Sequence, residues 1–202
     1  ENTTISKEDR ARTLMYVSER NRQDIKYSVK NNDDWLKKLC TRVTAHPVNS
    51  NNISRVTQLF NKTNQLNLST RRLSEQDIIA WQDKKTRSMM AISITDLFGD
   101  MGLVGIISVE ALGAKGRLVD FVLSCRVMGR LVEETLIHLA VSELAKLGAN
   151  IMEIVYEPTE RNGPTLQVLE NAKLEKVNQH TFIVNIDFGY EKPNLVELNL
   201  LG

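Results

Sequence analysis

Apolar residues recur along this chain at two spacings, and the switches between them mark the elements. From Ser6 to Leu39 charged residues dominate, while Leu14, Met15, Tyr16, Val17, Ile25, Tyr27, Val29, Trp35, Leu36 and Leu39 return at roughly helical intervals. That pattern predicts one or two helices forming a connecting arm over residues 1–39, ahead of a main domain over 40–202. "LCTRVTAHPV" predicts a short strand closed by a proline turn. In "NNISRVTQLFNKTNQ" the residues Ile53, Val56, Leu59 and Phe60 share one helical face, with Asn52 placed to cap it. Ser74 and Asp77 have capping-box spacing, which predicts another helix from there to about Gln82.

Three strands follow in "SMMAISITDLF", "GLVGIISVEAL" and "RLVDFVLSCRV". The turns "FGDMG" and "GAKG" separate them, so the spacing is that of an antiparallel meander, with Asp96 and Asp100 around Gly99 as turn formers. The third strand runs into a helix whose apolar stripe is Val132, Leu136, Leu139, Ala140, Leu144 and Leu147, stopped at Gly148. "NIMEIVYEPT" is a further strand, "NGPTLQVLENAK" a short helix with Pro164 near its start, and "TFIVNIDF" a last strand. The fold class is therefore α/β, built around one central, mixed but mostly antiparallel sheet flanked by helices.

Composition narrows the function. The 202 residues, 42% of them hydrophobic, suffice for one sizeable domain and a flanking segment. With 26 Lys and Arg against 25 Asp and Glu, the formal charge of +1 steers the protein toward neither nucleic acid nor an anionic membrane. Any anion site must be local. Cys40 and Cys125 stand far apart and the 3 histidines are scattered, so neither a metal site nor a disulfide framework is expected; a cytoplasmic setting is. The most apolar stretch, Met89 to Leu112, is broken by Asp96 and Asp100 and does not read as a membrane span. A charged N-terminus without an apolar core is not a signal peptide, and Glu1 in place of an initiator Met suggests a cut, with something missing upstream.

Local chemistry concentrates where "DFVLSCRVMGRLVEE" passes from strand to helix. A helix N-terminus presents unpaired N–H groups, Gly129 permits close backbone approach, and Arg126 and Arg130 add possible bidentate contacts to phosphate. The plainer reading is a glycine-shaped turn with two solvated arginines. Cys125 beside Arg126 and a helix terminus has the setting that favours thiolate; the alternative is a small, buried, inert residue at a strand end. Asp120 shares a strand face with Val122 and Ser124, as an inward base or substrate ligand, or else as a solvated aspartate near the turn. "KTNQLNLSTRR" gathers Asn64, Gln65, Asn67, Ser69, Thr70, Arg71 and Arg72 between two helices. Such a loop suits recognition of a hydroxylated acyl group or pantetheine amides, or is an ordinary polar connection. His138 on the amphipathic helix reads as surface.

The motif "RVMGRL" resembles the Arg/Gln-x-x-Gly-x-Gly/Ala loop of the GNAT acyltransferase superfamily, whose loop amides hold the pyrophosphate of coenzyme A. The element order resembles that superfamily's fold. Leu131 departs from the loop pattern, standing where Gly or Ala is expected and crowding the pyrophosphate. A wider resemblance joins "RVTQLFNKTNQLNLSTRRLSEQDI", "DLFGDMGLVGIISV", "DFVLSCRVMGR" and "YEPTERNGPTLQVLE", with "SKEDRARTLMY" in the arm. These are similar to the C-terminal half of FkbH-like proteins, in which a haloacid-dehalogenase-type (HAD) domain precedes a GNAT-like domain.

That resemblance implies a GNAT-like domain separated from an upstream HAD domain. It also implies a role in passing a glyceryl or related hydroxyacyl group from 1,3-bisphosphoglycerate to the phosphopantetheine thiol of an acyl carrier protein. Phosphopantetheine or coenzyme A is the implied ligand, held at Arg126, Val127, Gly129, Arg130, Leu131 and Asn162. The cleft expected for the arm lies between the strand ending at Cys125 and the strand ending near Pro158. Asn64, Gln65, Asn67, Thr70, Arg71, Arg72 and Tyr156 fall on the substrate or carrier side, with Asp120 and Cys125 as candidate catalytic groups. Leu169 occupies the position where GNAT enzymes carry a proton-donating tyrosine. Three readings follow: a domain that orients the carrier thiol, a docking module without chemistry, and a coenzyme A-dependent acetyltransferase.

Overall fold

A computed structural model of the chain describes residues 7–201. Glu1, and the cut expected there, lie outside them, as does the side chain of Leu14. The arm forms helices α1 (Lys7–Ser28) and α2 (Asn32–Leu39). Strand β1 (Arg42–Pro47), helix α3 (Ile53–Lys62), strand β2 (Leu66–Asn67) and helix α4 (Glu75–Gln82) follow. The meander is β3 (Arg87–Asp96), β4 (Gly99–Leu112) and β5 (Lys115–Leu123), leading to α5 (Val132–Lys146). Strand β6 (Ile151–Val155), helix α6 (Gly163–Asn171) and strands β7 (Glu175–Lys176), β8 (Thr181–Asn185) and β9 (Glu197–Leu200) complete the chain.

One sheet runs in the order β7-β8-β6-β5-β4-β3-β1-β9, with β2 attached to β5 off this path. Among the described residues only the β5–β6 and β1–β9 ladders are parallel. The α/β plan and mostly antiparallel sheet are those expected, but "TFIVNIDF" is not the last strand: the chain returns to lay β9 alongside β1.

Period-2 alternation sorts the meander residues between two helical layers. Met89, Ala91, Ile106 and Val122 meet Ile53, Val56, Leu59, Phe60 and Ile78 from α3 and α4. On the other face Ile92, Ile94, Ile107 and Phe121 pack with Leu136, Ala140 and Leu144 of α5. Helix α5 lies so close to β5 that a Cβ on Gly116 would stand 2.5 Å from Leu144 Cδ2, which is why that strand position carries no side chain. Ser74 and Asp77 form the expected reciprocal cap of α4. Asn52 does not cap α3 through its side chain; its Oδ1 accepts from the Asn49 N–H at 2.9 Å instead, closing the turn ahead of the helix.

What positions the candidate site is a parting of strands. The β5–β6 ladder ends at Leu118 opposite Ile154, while β5 continues to Leu123. Beyond that point β5 has β4 on one side and, on the other, β2.

Candidate functional site

After Leu123 a single 3-10 turn over Cys125–Val127 carries the chain toward α5. The Val127 and Met128 N–H groups are spent inside it, on the Ser124 and Cys125 carbonyls at 3.2 and 3.3 Å. Gly129 follows at φ +70, and a Cβ there would meet nothing within 4 Å, so backbone conformation rather than space requires glycine. Leu131 also adopts the left-handed region, φ 60, at the head of α5. A leucine in that conformation costs about 1–2 kcal/mol.

The turn already holds an anion. The Gly129 N–H donates to Glu133 Oε1 at 2.7 Å. Glu133 is 5% exposed, and burial pushes its carboxyl up against the opposing effect of the Gly129 N–H, its own amide and Arg130. The amide expected to hold phosphate therefore faces a carboxylate from its own helix.

Arg130 corrects another expectation. Its guanidinium is 4% exposed and points to Asp96 Oδ2 (3.3 Å), Glu19 Oε2 (3.5 Å) and the Arg126 carbonyl (2.8 Å), away from any ligand in the turn. Asp96 also takes two bonds from Arg22, at 2.6 and 2.9 Å. It is thus the centre of a buried ionic cluster between arm and turn, in addition to accepting the Phe98 N–H at the bend. Arg126 is exposed and Val127 buried. Cys125 is exposed, so the inert buried reading fails: β5 has ended two residues earlier, and the turn lifts the thiol outward.

The opening between β5 and β6, expected to receive the pantetheine arm, is filled by the polar loop itself. Leu66 pairs with Leu123 and Asn67 with Val122, and the Leu68 N–H bonds the Phe121 carbonyl at 3.0 Å. From the far side α6 clamps this segment. Asn162 Nδ2 donates to the Asn67 and Glu157 carbonyls (3.1 and 2.9 Å), and its Oδ1 accepts from Tyr156 OH and the Thr159 N–H (3.0 and 2.7 Å). Thr165 Oγ1 donates to the Gln65 carbonyl (2.9 Å) and accepts the Asn67 N–H (3.1 Å). The Asn67 side chain in turn bonds the Thr63 carbonyl and the Thr70 N–H. Asn67, Asn162, Thr70 and Tyr156 do come together, but as each other's partners. Asn162 and Asn67 are both 0% exposed, and the structure places them as internal ties between α6 and β2.

Asp120 is inward, as one reading had it, and 0% exposed. It accepts from Ser69 Oγ (2.6 Å), Ser108 Oγ, and Arg71 Nε (3.0 Å) and Nη2. Each oxygen therefore takes two donors, which leaves no free acceptor for abstracting a proton. Arg72 bonds the Phe60 carbonyl and Asn64 Oδ1, fastening the loop to the end of α3. Gln65 and Arg72 remain exposed. Leu169, in place of the expected acid, is 1% exposed and part of the core. His138 is half-buried, its Nδ1 2.6 Å from the Tyr190 carbonyl.

Sequence reasoning missed Glu133, Thr165, Ser108 and the Asp96 cluster. The one available signal was an acidic pair in the first turn of α5, the ordinary place for carboxylates on any helix. A pocket of ≈ 330 Å³ remains between the turn and α6, with Glu133 and Glu134 its only charged lining residues. Among the described residues no cluster of three or more His, Cys, Asp or Glu could hold a metal, and no helix is long and apolar enough to cross a membrane.

No protein-family description matches the sequence, and no curated protein does. Solved structures do match in shape. A domain from Methanocaldococcus jannaschii DSM 2661 superposes with a TM-score of 0.53 at 13% identity, over 72% of this chain and 99% of that one. Mutant forms of the spermidine/spermine N-acetyltransferase SpeG from Vibrio cholerae give 0.53 at 10% identity, over 72% and 95%. The GNAT domain of S. lividans PAT gives 0.52 at 13% identity, over 70% and 89%. The chain has the GNAT fold.

Proposed function

We propose that this GNAT-fold domain is a docking module that works without coenzyme A, its partner being an acyl carrier protein. The observation that carries this is β2: the chain's own Leu66–Leu68 hydrogen-bonds the edge of β5 where an extended pantetheine arm would have to lie. Glu133 on the Gly129 amide, Leu131 in the turn and Leu169 in the core support it independently. The residues present do not fit coenzyme A. The partner class, and an upstream HAD domain that would perform the glyceryl chemistry, come from the resemblance to FkbH-like proteins.

Calorimetry with coenzyme A, with phosphopantetheinylated carrier protein and with the same carrier lacking its arm tests the reading. Equal affinity for both carriers and none for coenzyme A is the expected result. Binding that needs the arm would overturn the docking module and restore a domain that orients the thiol for glyceryl transfer.

A second reading, an acetyl-CoA-dependent N-acetyltransferase, draws on the fold of its neighbours, among them yncA from Salmonella typhimurium, solved with its cofactor acetyl-CoA (TM-score 0.51, 9% identity, over 75% of this chain and 98% of that one). It requires β2 and Glu133 to give way. Saturable acetyl-CoA binding with amine-dependent release of free thiol would establish it.

A further inference from the structure

Helix α1 turns one face to the domain. Ser18 Oγ donates to the Phe98 carbonyl (3.1 Å), Arg22 Nε donates to Asp96 Oδ2 (2.6 Å), and Ile25 and Val29 pack on Trp35, Leu36 and Leu39. At 3.6 residues per turn these arm residues form one row, and Tyr16, Arg20, Gln23 and Tyr27 form another on the opposite face. Burial agrees: Tyr16 is 72% and Tyr27 85% exposed, with Arg20 and Gln23 exposed between them. Among the described residues no other element bonds to this outer row, and Gln23 Nε2 donates within the helix, to Glu19 Oε1 at 3.2 Å. Tyrosine brings a large rigid contact area at low rotamer cost, and arginine stacks on such rings, so a row of this composition is suited to a protein contact.

We propose that the outer face of α1 docks against α1 of a second copy of this chain, antiparallel and centred between Asn21 and Arg22. The row is complementary to itself when run backwards. Setting Tyr16 against Tyr27 of the second copy also sets Arg20 against its Gln23, and it brings Glu19 beside its Lys26 along one flank of the row. Two-fold symmetry makes each of these contacts occur twice. The two Arg20 then stand about 4.5 Å apart along the axis, each with Asp24 one turn on to offset its charge, whereas a parallel pairing would put them at the same level. The domain lies on the far side of each helix, so the two domains do not collide. A contact of some three turns is small against the about 1,200–2,000 Å² of stable complexes, which makes the dimer a weak one, with Kd expected in the micromolar range. This surface is independent of the carrier reading, which concerns β2 and the turn.

The test is sedimentation of the whole chain over about 1–500 μM, in which the weight-average mass should rise from one chain toward two. Tyr16→Glu and Tyr27→Glu change exposed side chains, so both variants keep the fold, and each should weaken association at least about tenfold. Register is read by cross-linking in a Cys40→Ser, Cys125→Ser background, because both native thiols are exposed. A short bismaleimide should join a Tyr16→Cys chain to a Tyr27→Cys chain but neither variant to itself, since like positions lie about 16 Å apart along the axis in this pairing. A chain that stays single at every concentration, association indifferent to both tyrosines, or cross-linking within each variant alone would each sink the proposal. The docking reading is decided separately, by the carrier without its arm.

Discussion

Replacing Asp120 by Asn tests whether this carboxylate is a structural tie or a reactive group. The substitution keeps shape but removes the charge that answers Arg71. Four donors converge on Asp120 from Ser69, Ser108 and both sides of the Arg71 fork. The serine hydroxyls can rotate to accept from the new amide, but the guanidinium has no acceptor and cannot adapt. Breaking one side of a fully buried ion pair costs about 3–5 kcal/mol. Here Asp120 is fully buried but the Arg71 side chain is 30% exposed, so water recovers part of the loss and about 2–3 kcal/mol is expected. For a domain of this size that lowers Tm by about 5–10 °C. Urea denaturation followed by tryptophan fluorescence measures it directly, because Trp81 lies 5.7 Å from the Arg71 guanidinium. Arg71→Met and the double variant complete a cycle whose coupling should exceed about 1 kcal/mol. A loss below about 0.5 kcal/mol with no coupling would refute the structural account; intact stability with abolished acyl loading would make Asp120 chemical after all.

Other consequences are open to measurement. Asn162→Ala removes four hydrogen bonds, one to the Asn67 carbonyl of β2 and three to Tyr156, Glu157 and Thr159 in the connection from β6 to α6, so it should cost about 2–4 kcal/mol and speed hydrogen exchange at the Leu68 amide; unchanged exchange would mean that the clamp does not hold β2. Burial raises the folded pKa of Glu133 above its unfolded value, so its ionised form opposes folding. Stability lost to this group grows as pH rises from the unfolded value through the folded one, and Glu133→Gln should exceed the parent in urea midpoint at pH 7 but not at pH 4, a crossover absent if the carboxylate is well solvated. Cys40 and Cys125 are both exposed, so a thiol reagent should label both under native conditions, and Cys125→Ser should change stability by less than about 0.5 kcal/mol.

The parts of the fold legible in sequence were those whose signal is local and repeated. The meander announced itself through long β-rich runs and turn residues, and the α4 cap through Ser74 and Asp77. Strand β2 was not legible because its two residues sit in a polar run, and its partner lies more than fifty positions away. Strand β9 did carry alternation in Val196, Leu198 and Leu200, yet a four-residue edge strand on a parallel ladder gives no turn signal to announce it. At the site, Gly129 and the helix start were readable from type and position. That Arg130 would turn inward was not, since its direction depends on Asp96 and on the arm.

The cluster joining Glu19, Arg22, Asp96 and Arg130 fixes where this protein can be cut. A fragment beginning at Cys40 would strip Arg22 and Glu19 from the cluster, open the remaining Asp96–Arg130 pair to water, and uncover the surface now sealed by Trp35, Leu36 and Leu39. A fragment beginning ahead of Ser18 keeps the cluster and the Ser18 bond to the Phe98 carbonyl. The smallest soluble piece worth expressing therefore starts midway along the first helix, and proteolysis that stops there would yield a trimmed chain with its turn intact.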